Sequence, residues 1–171
     1  MRTNPLKEDT LKEEMSKLTQ FVVFRLEAQR YAVPLRAVER IVAAVEVTPL
    51  PAAPEIVLGV IDVEGRVLPV LNLRRRFGLP DKDILPADQF LIAQTAQRAV
   101  VLVIDEAQGV IERSASEIVG PARIIPGLEQ LQGVTKLEDG LALIHDLEKF
   151  LSLDEERSLQ EAMRQEVALA T

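Results

Sequence analysis

One histidine, three consecutive arginines and two runs of carboxylates are the side chains here whose type and spacing could do chemistry. His145 ends the apolar run Leu141–Ile144 and precedes Asp146. A general base needs a nucleophile or a substrate proton within hydrogen-bond reach. The sequence offers no GxSxG elbow, no GxxxxGK[ST] phosphate loop and no GxGxxG turn to supply one. A strand histidine, at least partly buried, is the simpler reading. Asp105–Glu106 and Asp154–Glu155–Glu156 fall at strand and helix ends, where solvated turns and caps use carboxylates. Paired acid/base work is the weaker reading of both. With no cysteine and a single histidine, thiolate and imidazole metal sites are not expected. The expectation is a protein with no catalytic residues, no cofactor and no metal.

Arg74–Arg75–Arg76 follows an apolar run and enters a helical turn. Consecutive helical residues splay by about 100°, so the three cannot form one flat patch. Leu73 and Phe77, four apart, would point inward and leave the arginines outside. A solvated basic rim is the first reading and a docking surface for an acidic partner the second. Nucleic acid is disfavoured by a net charge of -7 and by 4% aromatic content with no Trp.

These residues must be held by short elements. Apolar, β-rich runs recur at FVVFRL (21–26), YAVPL (31–35), GVIDV (59–63), RVLPVLNL (66–73), FLIA (90–93) and RAVVLVI (98–104). Turn signals separate them at 27–30, 64–66, 95–98 and 138–140. Many short strands at this spacing predict a mainly β chain of barrels or a sandwich. Helical signals are brief, at 36–42, 73–79 and 146–151. Thr10 and Glu13 form a capping box before Leu11, Met15 and Leu18, which predicts a short amphipathic N-terminal helix. Ser152 and Glu155 do the same before Leu159, Met163 and Val167, which predicts a C-terminal helix. No apolar run approaches the roughly 18 residues of a membrane span, and the N-terminus has no secretory h-region. A cytoplasmic protein is expected.

The chain also repeats itself. GVIDVEGRVLPVLNLRR (59–75) lies over GVTKLEDGLALIHDLEK (133–149) without a gap. Gly59/Gly133, Val60/Val134, Glu64/Glu138 and Leu73/Leu147 are identical, and Asn72/Asp146 and Arg75/Lys149 are alike in kind. A Pro-marked loop precedes each copy, at 49–59 and 121–133, and 21–33 is echoed by 90–101. The period is too long for a solenoid. Two similar β lobes, each too small to bury its own faces and therefore packed together, account for it.

With those features in place, FVVFRLEAQRYAVPLRAVERIV, PLPAAPEIVLGVIDVEGRVLPVLNLRRRFGL and RAVVLVIDEAQGVIE resemble the CheW-type coupling proteins of bacterial chemotaxis over roughly residues 20–150. The resemblance implies two SH3-like five-stranded barrels in a pseudo-twofold relation, with a hydrophobic core between them. It also implies an adaptor that bridges chemoreceptor tips to the regulatory domain of a CheA-like histidine kinase at receptor arrays. It divides the chain into an N-terminal extension (1–19), a CheW-like domain (20–151, repeated around 59–77 and 133–151) and a C-terminal helix (152–171). The groove and rim it implies for partner binding comprise Val38, Arg40, Ile41, Glu64, Gly65, Val101 and Ala107. No nucleic-acid contact and no membrane insertion are implied. A stand-alone small-molecule-sensing barrel is the alternative, disfavoured because the strands offer almost only Val, Leu and Ile inward.

Two departures from the family pattern concern charge. The family usually carries an Arg where this chain has Glu64, and an acidic residue where it has Arg40. A charge-swapped pair, Arg40 with Glu64, is expected to keep the interaction with its signs exchanged. The simpler alternative has Glu39 take the acidic role while Glu64 only decorates a turn.

Overall fold

Apolar runs such as 21–24 and 99–104 have no polar face and are short, the mark of strands covered on both sides. The computed structural model describes residues 17–120 and 131–170, with side chains through 166. It forms strands β1 (Thr19–Leu26), β2 (Gln29–Pro34), β3 (Val38–Ala43), β4 (Val57–Val63), β5 (Arg66–Leu71) and β6 (Gln89–Gln94). Strands β7 (Ala99–Ile104), β8 (Glu106–Arg113), β9 (Ile118–Val119), β10 (Leu131–Leu137) and β11 (Gly140–His145) follow. The expected N-terminal helix and the loop at 121–130 lie outside the described residues.

The strands form two sheets, ordered β8-β1-β2-β11-β10-β9 and β3-β6-β7-β5-β4. Five positions correspond, and the sixth, β9 beside β10, is matched only by the isolated Thr48–Val60 bridge beside β4. In each, an antiparallel hairpin (β1–β2 or β6–β7) lies parallel to the second strand of the repeated hairpin, β11 or β5. Both repeated hairpins carry a register shift beside the shared glycine. A Cβ on Gly59 would meet the Thr48 carbonyl, and one on Gly133 the Val119 carbonyl. The glycines recur because a crossing backbone fills the space of a side chain at both places.

The second sheet is built from contiguous sequence and is called lobe B. The first, lobe A, takes its β1–β2 hairpin from before lobe B and the rest from after it. Strand alternation then distributes three cores. Phe21 and Val23 join Ala32, Ala142 and Ile144 inside lobe A. Phe90, Ile92 and Val101 join Ile61, Leu68 and Val70 inside lobe B. Val22, Phe24, Leu91, Ala93, Val100, Leu102 and Ile104 meet in a third core between the lobes.

Helices are sparse. The helical signal at 36–42 is overturned: Leu35–Ala37 is a single 3-10 turn and the rest is β3. The signal at 73–79 reduces to one turn, α1 (Leu73–Arg76), capped by Asn72. That at 146–151 reduces to a 3-10 turn, Leu147–Lys149, capped by Asp146. The C-terminal helix α2 (Leu153–Ala170) forms at full length behind the Ser152/Glu155 capping box. Its buried Leu159 and Ala162 enter the central core. Ion pairs Arg76–Glu155 (2.6 Å) and Arg98–Glu156 (2.5 Å) tie it to lobe B. No described helix is long and apolar enough to cross a membrane.

Candidate interaction site

The β4–β5 turn is a two-residue loop in which both residues lie in the left-handed region, Glu64 at φ 52° and Gly65 at φ 85°. The right-handed twist of paired strands favours such turns, and Gly enters the region freely. A glutamate does so at a cost of about 1–2 kcal/mol. Asp62 steadies the turn by accepting the Gly65 amide at 2.7 Å.

This tip faces β3, the opposite edge of the same sheet. Arg40 Nη1 stands 3.2 Å from Glu64 Oε1, and Arg66 donates to both oxygens of Glu39, at 3.3 and 2.7 Å. Neighbours on a regular strand point to opposite faces, so Glu39 and Arg40 could not both reach one hairpin. A bulge resolves this: Val38 pairs with Ala93 and Arg40 with Ile92, leaving Glu39 as the extra residue. Two ion pairs of opposite polarity thus bridge the edges of a sheet curled back on itself. All four side chains remain solvent-accessible, Glu64 at 77%. The hydrogen bonding from Arg66 holds the Glu39 carboxyl below the usual carboxylate range. Arg40 therefore meets Glu64, so Glu64 does more than decorate a turn, and Glu39 has a separate basic partner in Arg66.

Val38 and Ile41 are half-buried beside this ladder and pack on the central core. Ala107 packs on the same core from β8 of the other lobe, and its amide donates to Gln89 Oε1 at 2.7 Å. Gly65 is exposed at the tip. Val101 must be removed from the expected groove. It has no exposed surface, because strand alternation turns it into lobe B while Val100 and Leu102 face the seam.

The arginines also need correction. Arg74 is buried, with Nη2 2.6 Å from Asp105 Oδ1 and Nη1 on Glu27. Arg76 pairs with Glu155, and Arg75 with Asp81 at 3.3 Å and with the Glu55 carbonyl at 2.5 Å. Arg74 and Arg76 are stitches between elements rather than a solvated rim, while Arg75 stays exposed as expected. Asp105, expected in a solvated turn, is the partly buried counter-ion of Arg74. Burial works to raise its carboxyl, but the Glu27 amide and the Arg74 guanidinium outweigh this and hold it below the usual range. One signal could have exposed Arg74: Phe77, three residues on and inward-facing, places Arg74 on the same side of the turn. His145 is buried among Tyr31, Phe77 and Phe150, with ring centroids 5.4, 4.4 and 5.8 Å away, where a substrate has no access.

Comparison with known proteins decides the family. The model of the CheW-like domain matches residues 20–155. The chain belongs to the CheW-like family. Chemotaxis protein CheW of Treponema pallidum is 27% identical over 146 residues, covering 82% of this chain and 86% of that protein. CheW of Rhizobium meliloti is 28% identical over 138 residues, covering 80% and 89%. The crystal structure of the scaffolding protein TtCheW from Thermoanaerobacter tengcongensis shares the fold, with a TM-score of 0.72 at 24% identity over 80% of this chain and 94% of that one. These relatives are named chemotaxis proteins, and TtCheW is described as a scaffolding protein.

Proposed function

We propose that this chain is a non-enzymatic cytoplasmic adaptor that couples chemoreceptor tips to the CheW-like regulatory domain of a CheA-like histidine kinase in receptor arrays. We read its two sheets as SH3-like barrels related by a pseudo-twofold axis. The matching strand orders, paired bulge glycines and central core support that reading. Docking takes place at Val38, Ile41 and Ala107, with the Arg40–Glu64 and Glu39–Arg66 ladder and Gly65 as the charged rim.

The observation that carries the proposal is Glu64. A glutamate held at φ 52° on an exposed tip costs backbone energy that an Asn or Gly would not. Strain retained at an exposed charged position fits a side chain kept for recognition. Apolar flanks supply contact area, while a ladder of alternating sign fixes register and rejects partners with the usual polarity. The test is a binding titration of the purified protein against cytoplasmic receptor fragments and CheA regulatory domains from the same genome. Micromolar or tighter binding to both classes is expected. Absence of binding to every member of either class would refute the coupling role.

A further inference from the structure

The repeat places Arg74 and Glu148 in one column, each in the helical turn that follows its own hairpin. Each reaches out of its own lobe. Arg74 follows β5 of lobe B and pairs with Glu27 in the β1–β2 turn of lobe A. It also pairs with Asp105, at the crossover between β7 and β8. The Glu27 amide closes the triangle by donating to Asp105 Oδ2 at 2.9 Å. Glu148 follows β11 of lobe A, and its two oxygens accept the Ala96 amide, at 2.9 and 3.1 Å, in the β6–β7 turn of lobe B. Because β1–β2 and β6–β7 are corresponding hairpins, the two contacts are reciprocal: each half grips the hairpin turn of the other.

The grips differ in chemistry. Arg74 and Asp105 expose 8% and 13% of their side chains, so water cannot replace the partners of Arg74, and Asp105 would keep only the longer pair with the more exposed Arg25, at 3.5 Å. Glu148 and Ala96 are exposed, and water can take over both ends of that contact. The ties of α2 through Arg76 and Arg98 both run to lobe B and leave the β1–β2 turn untouched. We infer that Arg74 is a positioning residue that fixes the β1–β2 hairpin against lobe B, and so sets the spacing of the two lobes that a docking partner must match, with Glu148 as its weaker counterpart. The docking part rests on the adaptor reading above.

Each clamp contains a backbone amide that reports on it by hydrogen exchange: Glu27 N–H for the Arg74 clamp and Ala96 N–H for the Glu148 clamp. In Arg74→Met, Glu27 exchange should accelerate by on the order of 100-fold, with the β7 amide of Leu102 unmoved. Arg74→Lys should recover part of that protection. Glu148→Gln should accelerate Ala96 far less, by about 10-fold or under. Where Arg74→Met fails to fold, Glu27→Gln removes one of the two pairs at a half-exposed carboxylate and carries the same test. In parallel, Arg74→Met should weaken binding to the kinase regulatory domain roughly 10-fold, although Arg74 touches no partner. Unchanged Glu27 exchange would overturn the inference. So would acceleration of Leu102 equal to that of Glu27, or faster Glu27 exchange with unchanged partner affinity. Failure of the unmutated protein to bind any kinase domain would instead strike the adaptor reading, and the two amides would still decide the clamp.

Discussion

Gly59→Ala probes the feature that both halves of the chain share. An ideal Cβ at this position would lie 2.1 Å from the Thr48 carbonyl oxygen, 2.8 Å from its carbon and 2.8 Å from Val47 Cγ1. The nearest obstacle is backbone, and it is pinned: Thr48 donates to Val60 O at 2.9 Å and accepts the Val60 amide at 2.8 Å. Relief requires loss of that two-bond bridge, at about 1 kcal/mol per bond, plus about 1–3 kcal/mol of overpacking. Gly59 also sits at φ 155°, where an alanine is disfavoured. The total is about 3–5 kcal/mol. At Gly133 the first obstacle is Ile118 Cγ2, 2.4 Å away on a side chain that can turn, and the Val119 oxygen is at 2.9 Å. Gly133→Ala should therefore cost about 1–3 kcal/mol. For a domain of this size each kcal/mol moves Tm by about 2–4 °C, so Gly59→Ala should lower it by roughly 6–20 °C. Urea unfolding and calorimetry on the two variants provide the measurement. Gly59→Ala within about 0.5 kcal/mol of the unmutated protein, or less damaging than Gly133→Ala, would refute the crossing-backbone argument.

Three further outcomes follow from the site. Glu64→Arg should weaken binding to the native partner, and Arg40→Glu/Glu64→Arg should partly restore it; a double variant no better than the worse single one would show the pair is uncoupled. Both singles should shift stability by less than about 1 kcal/mol, as exposed pairs do, which denaturant titration checks. Glu64→Asn should hold or raise stability by up to about 1 kcal/mol, since Asn tolerates the left-handed turn, while reducing partner affinity. Equal affinity would remove recognition as the reason for Glu64. Asp105→Asn tests the buried pair by pH. A carboxyl held low in the folded state contributes stability above its unfolded value of about 3.9, and that stability disappears as pH falls below it. The stability gap between the unmutated protein and Asp105→Asn should be full at pH 7 and shrink between about pH 4 and 2.

Much of this architecture can be read from the residues, and the failures have physical causes. Short apolar runs and turn signals locate β1, β2, β4, β5, β6 and β7, and the ungapped repeat anticipates two matching lobes. β3 reads as a helix because its bulge places Val38 and Ile41, three apart, on one core: an extra residue converts strand spacing into helical spacing. The resemblance cannot place Val101, since a strand apolar on both faces does not reveal which residues face which core. Charge alone suggests solvent for the arginines; only the carboxylates brought from residues 27, 105 and 155 make the burial of Arg74 and Arg76 tolerable. The Glu39–Arg66 pair is not legible in the sequence because it depends on the same bulge. The allocation of β1–β2 to lobe A could not be read at all, because the echo of 21–33 in 90–101 describes a hairpin equally at home in either lobe.

That allocation bears on how the protein is made. Lobe B, residues 38–104, is one uninterrupted stretch and can close as soon as it leaves the ribosome. The β1–β2 hairpin is synthesised first, yet its parallel neighbour β11 appears about 110 residues later. At translation rates of roughly 5–20 residues per second, the hairpin waits about 6–20 s for that strand. An isolated two-stranded hairpin is marginal in water, and this one carries Phe21, Val22, Val23 and Phe24, which need cover on both faces. A hairpin made before lobe B is thus sheltered after it. Changes that slow emergence of β10–β11 should register as aggregation seeded near the N-terminus, far from the altered codons.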